Sequence, residues 1–163
     1  KDFQHGAAPC GGVVAKAVQG GSSILPPSAS YLTATVKHVL GALPHKIKIQ
    51  LDGKPFYEGL AHNVFVCNGK YSGGGMLWAP DAKLDDGLFN VLIAKDISRL
   101  ELLTLAPRLY TGTISKARGI DVKVASSVSI SAVSPTYVEL DGETYPAERA
   151  EYSILNQALD ILC

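Results

Sequence analysis

A mainly β fold, an antiparallel sandwich with one or two helices, is what the residues predict, and three observations predict it. From Ile120 onward apolar residues alternate in short runs: Val122 and Val124, then Val128, Ile130 and Ala132, then Tyr137 to Leu140, Tyr152 to Leu155 and Leu159 to Leu162. Such runs, separated by turn residues, mark strands with one buried and one wet face, stacked in two layers. Upstream, Ile47, Ile49 and Leu51 alternate with Lys46, Lys48 and Gln50 and run into Asp52-Gly53, a preferred hairpin pair. Helical periodicity, by contrast, is confined to two segments, near Leu32 to Leu40 and near Leu102 to Leu109.

The 163 residues fit one domain with a real core: 47% are hydrophobic and 18% charged. Fifteen basic residues balance fifteen acidic ones, which argues against a nucleic-acid partner, because such proteins carry a basic excess. No run of about 18 apolar residues is present to span a membrane as a helix. Lys1 to His5 do not have the basic and then apolar pattern of a signal peptide. Cys10, Cys67 and Cys163 are odd in number and without CxxC spacing, so they are expected to be reduced thiols of a cytoplasmic protein, Cys67 being a small core residue.

Taken in order, Gly6 to Gly21 carries glycines at both ends of the apolar segment Val13 to Val18, consistent with a strand end and a helical turn or two. Neither GxGxxG nor GxxxxGK[ST] fits there, so these glycines are not a phosphate loop. A linker rich in Gly, Ser and Pro leads to a helix with Leu32, Val36, Val39 and Leu40 on one face, capped by Ser28 or Ser30 and stopped by Gly41 and Pro44. After the Asp52-Gly53 turn the chain returns through Lys54 to Leu60, and a further strand takes Asn63 to Cys67. His62 is expected to be a hydrogen-bonded or surface histidine; His5, His38 and His45 lack zinc spacing. Leu88 to Ala94 is the next strand. Ser98 and Glu101 form a capping box for a helix whose face is Leu102, Leu105, Ala106 and Leu109, with Pro107 expected to bend or end it.

Two segments carry the chemistry. Tyr71 to Asn90 packs three glycines (Gly73, Gly74, Gly75), an Ala-Pro break and three acids (Asp81, Asp85, Asp86) between two strands. Glycines without Cβ let a ligand or another domain approach the main chain, and carboxylates supply oxygen to what sits there. On the residues alone, the glycines are equally a β-bulge or wide turn and Asp85-Asp86-Gly87 a tight turn, with no ligand. Oxygen-only donors suit magnesium or calcium, but the acid spacing does not fit an EF-hand. The second segment is Asp141-Gly142-Glu143 at a strand end. It is either another hairpin turn or, if the backbone stays extended, a pair of carboxylates on one side, able to orient a hydroxyl and take its proton.

The run NGKYSGGGMLWAPDAKLDDGLFNV, Asn68 to Val91, closely resembles the core of the C-terminal domain of the diacylglycerol kinase-like lipid kinases, a group that includes bacterial diacylglycerol kinases and the sphingosine and ceramide kinases. VELDGE, Val138 to Glu143, matches the D-G-E signature of that family, and SYLTATVK, Ser30 to Lys37, its upstream helix. NAD kinases share the broad architecture, but the GGGM-AP-A-LDDG run is much more like the lipid kinases.

This resemblance implies the sandwich of the NAD kinase and diacylglycerol kinase-like superfamily. Residues 1–163 would be the substrate-side C-terminal domain, and the N-terminal α/β domain that binds ATP through G-G-D-G-T would be absent from this chain. The implied reaction is phosphorylation of a lipid hydroxyl, diacylglycerol-like or sphingoid, with this chain inactive until joined to its nucleotide domain. Glu143 would be the base with Asp141 beside it, and Asn68, Gly73, Gly74 and Gly75 would form the substrate and interdomain loop. Magnesium would be held by the Asp86 carboxylate and the Lys83 and Leu88 carbonyls. Asn90 stands where relatives often carry an acid. ATP and Mg²⁺ are the implied cofactors; a lipid and the nucleotide domain are the implied partners. Contact with the inner face of a membrane would be peripheral, with Leu77, Trp78 and Lys83 as candidates by adjacency. The alternative is a non-catalytic lipid-binding or regulatory module.

Overall fold

The computed structural model describes residues 6–9, 43–72, 75–95, 97–140, 143–156 and 158. Among them the strands are β1 (Gly6–Pro9), β2 (His45–Leu51), β3 (Lys54–Cys67), β4 (Tyr71–Ser72), β5 (Met76–Leu77), β6 (Phe89–Lys95), β7 (Ile120–Ala125), β8 (Ser127–Leu140) and β9 (Glu143–Ser153). Helix α1 (Arg99–Thr111) and a 3-10 turn (Ile114–Lys116) lie between β6 and β7. Every strand pairing is antiparallel.

Two long strands make the corners. β3 pairs with β2 over its first half and with β6 and β1 over its second. β8 likewise pairs with β2 first and β1 later, with β9 alongside throughout. Short β1 and β2 therefore share one slot between β3 and β8, end to end. The ladders are irregular at Ala61/Asn63 on β3 and Ser131/Thr136 on β8, level with the gap in that slot. Irregularities of this kind let a strand switch layers. The first layer runs β9-β8-β2-β3, and the second β7-β6-β3-β1-β8-β9. The predicted sandwich is the fold.

One connection requires the fold-over. β7 and β8 are four strands apart in the sheet order, about 19 Å if the sheet were flat. Yet only Ser126 separates Ala125 from Ser127, a reach of about 7 Å. Asp52, in the β2–β3 turn at φ 49°, fastens that corner: its Oδ1 accepts from Ser126 N (2.9 Å), Ser127 N (3.0 Å) and Ser126 Oγ (2.8 Å), while its own N–H donates to Ser127 O (3.0 Å).

Between the layers lies one core, made of Ile47, Ile49, Val64, Val66, Val91, Ile93, Val128 and Ile130 with smaller neighbours. A second core lies on the outer face of the second layer. There Cys67 and Leu92 meet Leu105 and Leu109 of α1, Ile114 and the β5 region. β6 is consequently buried on both faces, as its apolar run VLIA requires. Cys67 is the expected core thiol, and burial pushes it up to about 12. His62 is buried, with Nε2 3.1 Å from Ile97 O, a hydrogen-bonded histidine as expected.

The capping box of α1 forms as predicted: Ser98 Oγ accepts from Glu101 N, and Glu101 Oε2 accepts from Ser98 N at 3.0 Å. The Ser98 hydroxyl, then its N–H, hold the Glu101 carboxyl below its ordinary range. Pro107 does not end the helix, which runs on to Thr111. The helix ends one turn after Pro107, closed by Gly112 at φ 67°, whose N–H reaches Arg108 O. A Cβ on Gly112 would lie 2.7 Å from Leu77 Cδ2.

Three further expectations need correction. Lys54–Leu60 and Asn63–Cys67 are one strand; Gly59 and His62 interrupt the alternation without breaking the pairing. Val128–Ala132 and Tyr137–Leu140 are likewise one strand. β9 begins at Glu143, well before the predicted Tyr152, and ends at Ser153. As an edge strand it exposes Tyr145, Pro146, Glu148, Arg149 and Glu151, so it has no apolar period, and its proline is tolerated there. The segments predicted at Val13–Val18, Leu32–Leu40 and Leu159–Leu162 lie outside the described residues.

Asp52→Ala should lower the thermal midpoint at pH 7. The Ser126 hydroxyl, then the Ser127 N–H, hold the Asp52 carboxyl below its usual range, so its stabilisation is present above the unfolded-state value and is lost as pH falls through the folded one. The gap between wild type and variant should therefore close in acid. Gly112→Ala should cost about 1–2 kcal/mol in a urea titration, because a left-handed residue gains a Cβ, with Leu77 displaced as well.

Candidate functional site

The segments predicted to carry chemistry leave from one end of the second layer. β3 ends there at Cys67 and continues into Asn68. β6 enters there at Phe89, one residue after Leu88, and Asn90 pairs with Cys67. β1 supplies the link, since Ala7 pairs with both Val66 of β3 and Leu140 of β8. Leu140 leads into Asp141. β3 and β8 are both antiparallel to β1, hence parallel to each other, and both point toward this end. The strand spacing puts the β3 and β8 ends about 10 Å apart, and those of β6 and β8 about 14 Å apart.

The loop from Asn68 is built rather than loose. Asn68 is half-buried at its start, and Ala79 N donates to Lys70 O at 3.2 Å, closing it. Tyr71 pairs with Leu77 and Ser72 with Met76, so β4 and β5 form a short antiparallel pair. Gly73 and Gly74 lie outside the described residues. Gly75 is exposed at φ 88° with nothing within 4 Å of a Cβ placed on it; its backbone conformation, not crowding, selects glycine. Met76, Ala79 and Ala82 are buried in the second core. Trp78 stacks on Phe65 with ring centroids 3.9 Å apart, and Leu77 packs over Gly112. Leu77 and Trp78, expected as membrane contacts, are thus engaged inward, while Lys83 is exposed.

Farther along, Asp81, Asp85 and Asp86 are all exposed. Asp86 Oδ1 accepts from Leu88 N at 2.9 Å, tying the carboxylate to its own turn around Gly87 (φ 70°), with Asn156 alongside. Among the described residues no three His, Cys, Asp or Glu side chains gather to hold a metal. A cage of several carboxylates is therefore not formed at Asp86. What the turn offers is one carboxylate with the neighbouring main-chain oxygens, a hard-donor set whose type fits magnesium.

Asp141 lies outside the described residues, as does the Glu143 side chain. The backbone of Glu143 opens β9 and pairs with Leu140, so the chain reverses between them. One residue of this region was not singled out from the sequence. Glu139 is half-buried, its Oε2 is buried without a hydrogen-bond partner among the described residues, and burial raises its carboxyl above the ordinary range. Nothing in the sequence marks it, because its setting comes from strand pairing.

Among the described residues no helix is long and apolar enough to cross a membrane.

Comparison with known proteins agrees with this architecture. A family profile described as YegS C-terminal NAD kinase beta sandwich-like domain matches residues 10–163. "Probable lipid kinase YegS-like" of Shewanella frigidimarina is 24% identical over 133 residues, covering 82% of this chain and 42% of that protein. A diacylglycerol kinase of Staphylococcus aureus is 30% identical over 118 residues, covering 71% and 36%. A Bacillus anthracis crystal structure superposes with TM-score 0.66 and 24% identity over 93% of this chain and 51% of that one. A second, described as a diacylglycerol kinase, gives 0.59 and 19% over 94% and 46%. The structural likenesses establish the fold alone, and the chain spans about half the length, or less, of the relatives it matches. With the profile covering nearly every residue and the sandwich in place, the chain belongs to the YegS C-terminal NAD kinase beta sandwich-like family, the C-terminal domain of diacylglycerol and lipid kinase-like proteins.

Proposed function

We propose that this chain is the substrate-side half of an ATP-dependent lipid kinase, acting on the hydroxyl of a diacylglycerol-like or sphingoid lipid. The observation that carries this reading is the convergence, at one end of the second layer, of the Asn68 loop, the Asp86 turn and the Asp-Gly-Glu hairpin. In the proposed reaction Glu143, with Asp141 beside it, orients the lipid hydroxyl and takes its proton. The hydroxyl oxygen then bonds to the γ-phosphorus of ATP as the bond to the ADP oxygen breaks. Asn68, Gly73, Gly74 and Gly75 would offer main chain to the lipid or to the nucleotide domain.

Charge supports a division of labour. Residues 68–90 and 139–143 together carry six acids against two lysines, Lys70 and Lys83. Such an end repels a triphosphate, so ATP would be held by an upstream α/β domain. Magnesium, when bound by the Asp86 carboxylate with the Lys83 and Leu88 carbonyls, would supply a fixed charge that pins the loop to β6. At about 14 Å from the β8 end this cation would be structural, since ligands to magnesium lie at about 2.1 Å. Work at a lipid surface would make the enzyme cytoplasmic with peripheral membrane contact.

The direct experiment uses labelled ATP and a panel of lipids with two proteins, this chain alone and the chain with its natural upstream sequence. Turnover is expected only in the longer protein, and a drop of about a hundredfold or more in kcat on Glu143→Gln. Lipid binding without turnover in either protein would instead establish a non-catalytic lipid-binding module. For the metal, chelator should lower the thermal midpoint of wild type but not of Asp86→Ala; equal midpoints in all four samples would remove the magnesium assignment.

A further inference from the structure

Two polar atoms on β8 are buried with no hydrogen-bond partner among the described residues, Thr136 Oγ1 and Glu139 Oε2. Native proteins leave few such atoms, and each needs a reason. Glu139 stands two residues before Asp141, and its register partners are Ala8 on β1 and Thr144 on β9. The next pair along that face is Tyr137 with Pro146. Tyr137 is the one titratable group among these neighbours, and Asp141 is the nearest acid along the chain.

The side chain as a whole is half-buried, so only one of its oxygens is sealed in. A carboxylate spreads its charge over both oxygens, and the inner one has nothing donating to it. Desolvation therefore favours the neutral acid and raises this carboxyl above the ordinary range. A neutral carboxyl beside a phosphoryl-transfer site has two uses: its O–H donates to an oxygen ligand, and it does not repel the phosphate as a carboxylate would. On the same face the hairpin exposes the Tyr137 ring, 42% accessible, with Pro146 beside it, a ring surface suited to the apolar part of an amphipathic ligand.

We propose that Glu139 is a substrate-binding residue, hydrogen-bonding the hydroxyl or ester oxygen of a neutral glycerolipid head delivered to the Asp-Gly-Glu hairpin. The assignment rests on the lipid-kinase reading for its location and goes beyond it in naming the group that binds the lipid head.

The test measures equilibrium binding of dioctanoylglycerol in detergent micelles to the protein with its natural upstream sequence, without ATP, from about pH 5 to about pH 9. Turnover with ATP is followed in parallel. Wild-type binding should weaken as pH rises, because ionisation removes the donor. Glu139→Gln, whose amide donates at every pH, should bind with a flat profile. Glu139→Ala should bind about three- to tenfold more weakly at the acid end, with KM raised and kcat little changed. Wild-type affinity in Glu139→Ala at every pH, or an unaltered pH profile in Glu139→Gln, would overturn the assignment. Failure of the two ideas is separable. Binding as expected but no turnover would refute the kinase and leave Glu139 a lipid contact. Turnover with KM unmoved by Glu139→Ala would do the reverse, and absence of wild-type binding would refute both.

Discussion

The passage from β7 to β8 through Ser126 alone is the constraint on which the rest of the molecule depends. A single residue cannot cross four strands of a flat sheet, so the sheet must close over its own inner face. Closure brings Ala125 against Val128 and Ile130, and with them the whole inner core. It also explains why an exposed turn residue, Asp52, is so heavily engaged. Its carboxylate satisfies the N–H groups of Ser126 and Ser127 at the sharp corner. The polar bonds alone contribute little net energy, but they hold the corner at which the apolar faces meet.

The same closure assigns the outer face of the second layer to something else. β6 has apolar residues on both sides, and its outer side would be exposed without α1, the 3-10 turn and the β4–β5 hairpin. This is why the glycine-rich loop is anchored at both ends. Trp78 on Phe65 and Leu77 on Gly112 fix its arms, leaving Gly75 and the Asp81–Asp86 acids as its accessible parts. A loop held this way offers main chain and carboxylates to a partner without first paying the entropy of ordering its arms.

Legibility from sequence followed the range over which each feature is determined. The Asp52-Gly53 hairpin, the capping box at Ser98 and the strand at Leu88 to Ala94 are set by residues a few positions apart, and all three are readable. Strand continuity was harder. β3 continues through Gly59 to Ala61, where the apolar alternation lapses, because pairing with β2 carries it across, and β8 bridges its irregular stretch Val133 to Pro135 between ladders held on either side. β9 was missed over most of its length because an edge strand needs no buried period. At the site, the motif segments were visible, but their common location was not. Glu139 was invisible for the same reason, as its environment is made by β1 and β9.

Parallel running of β3 and β8 follows from pairing, not from any local signal. Both are antiparallel to the slot that β1 and β2 divide, so both must run the same way, and whatever follows each strand emerges at one end of the second layer. Only four residues of β1 are needed to set this distance. Removing their pairing would leave the two strand ends without a common neighbour at that level, since β2 reaches only as far as Ala61 on β3 and Ala132 on β8. A strand of modest area thus governs the separation between the glycine loop and the Asp-Gly-Glu hairpin. The spacing it imposes, two strand separations or about 10 Å with the β1 main chain between, fixes how far the loop after Cys67 stands from the hairpin after Leu140.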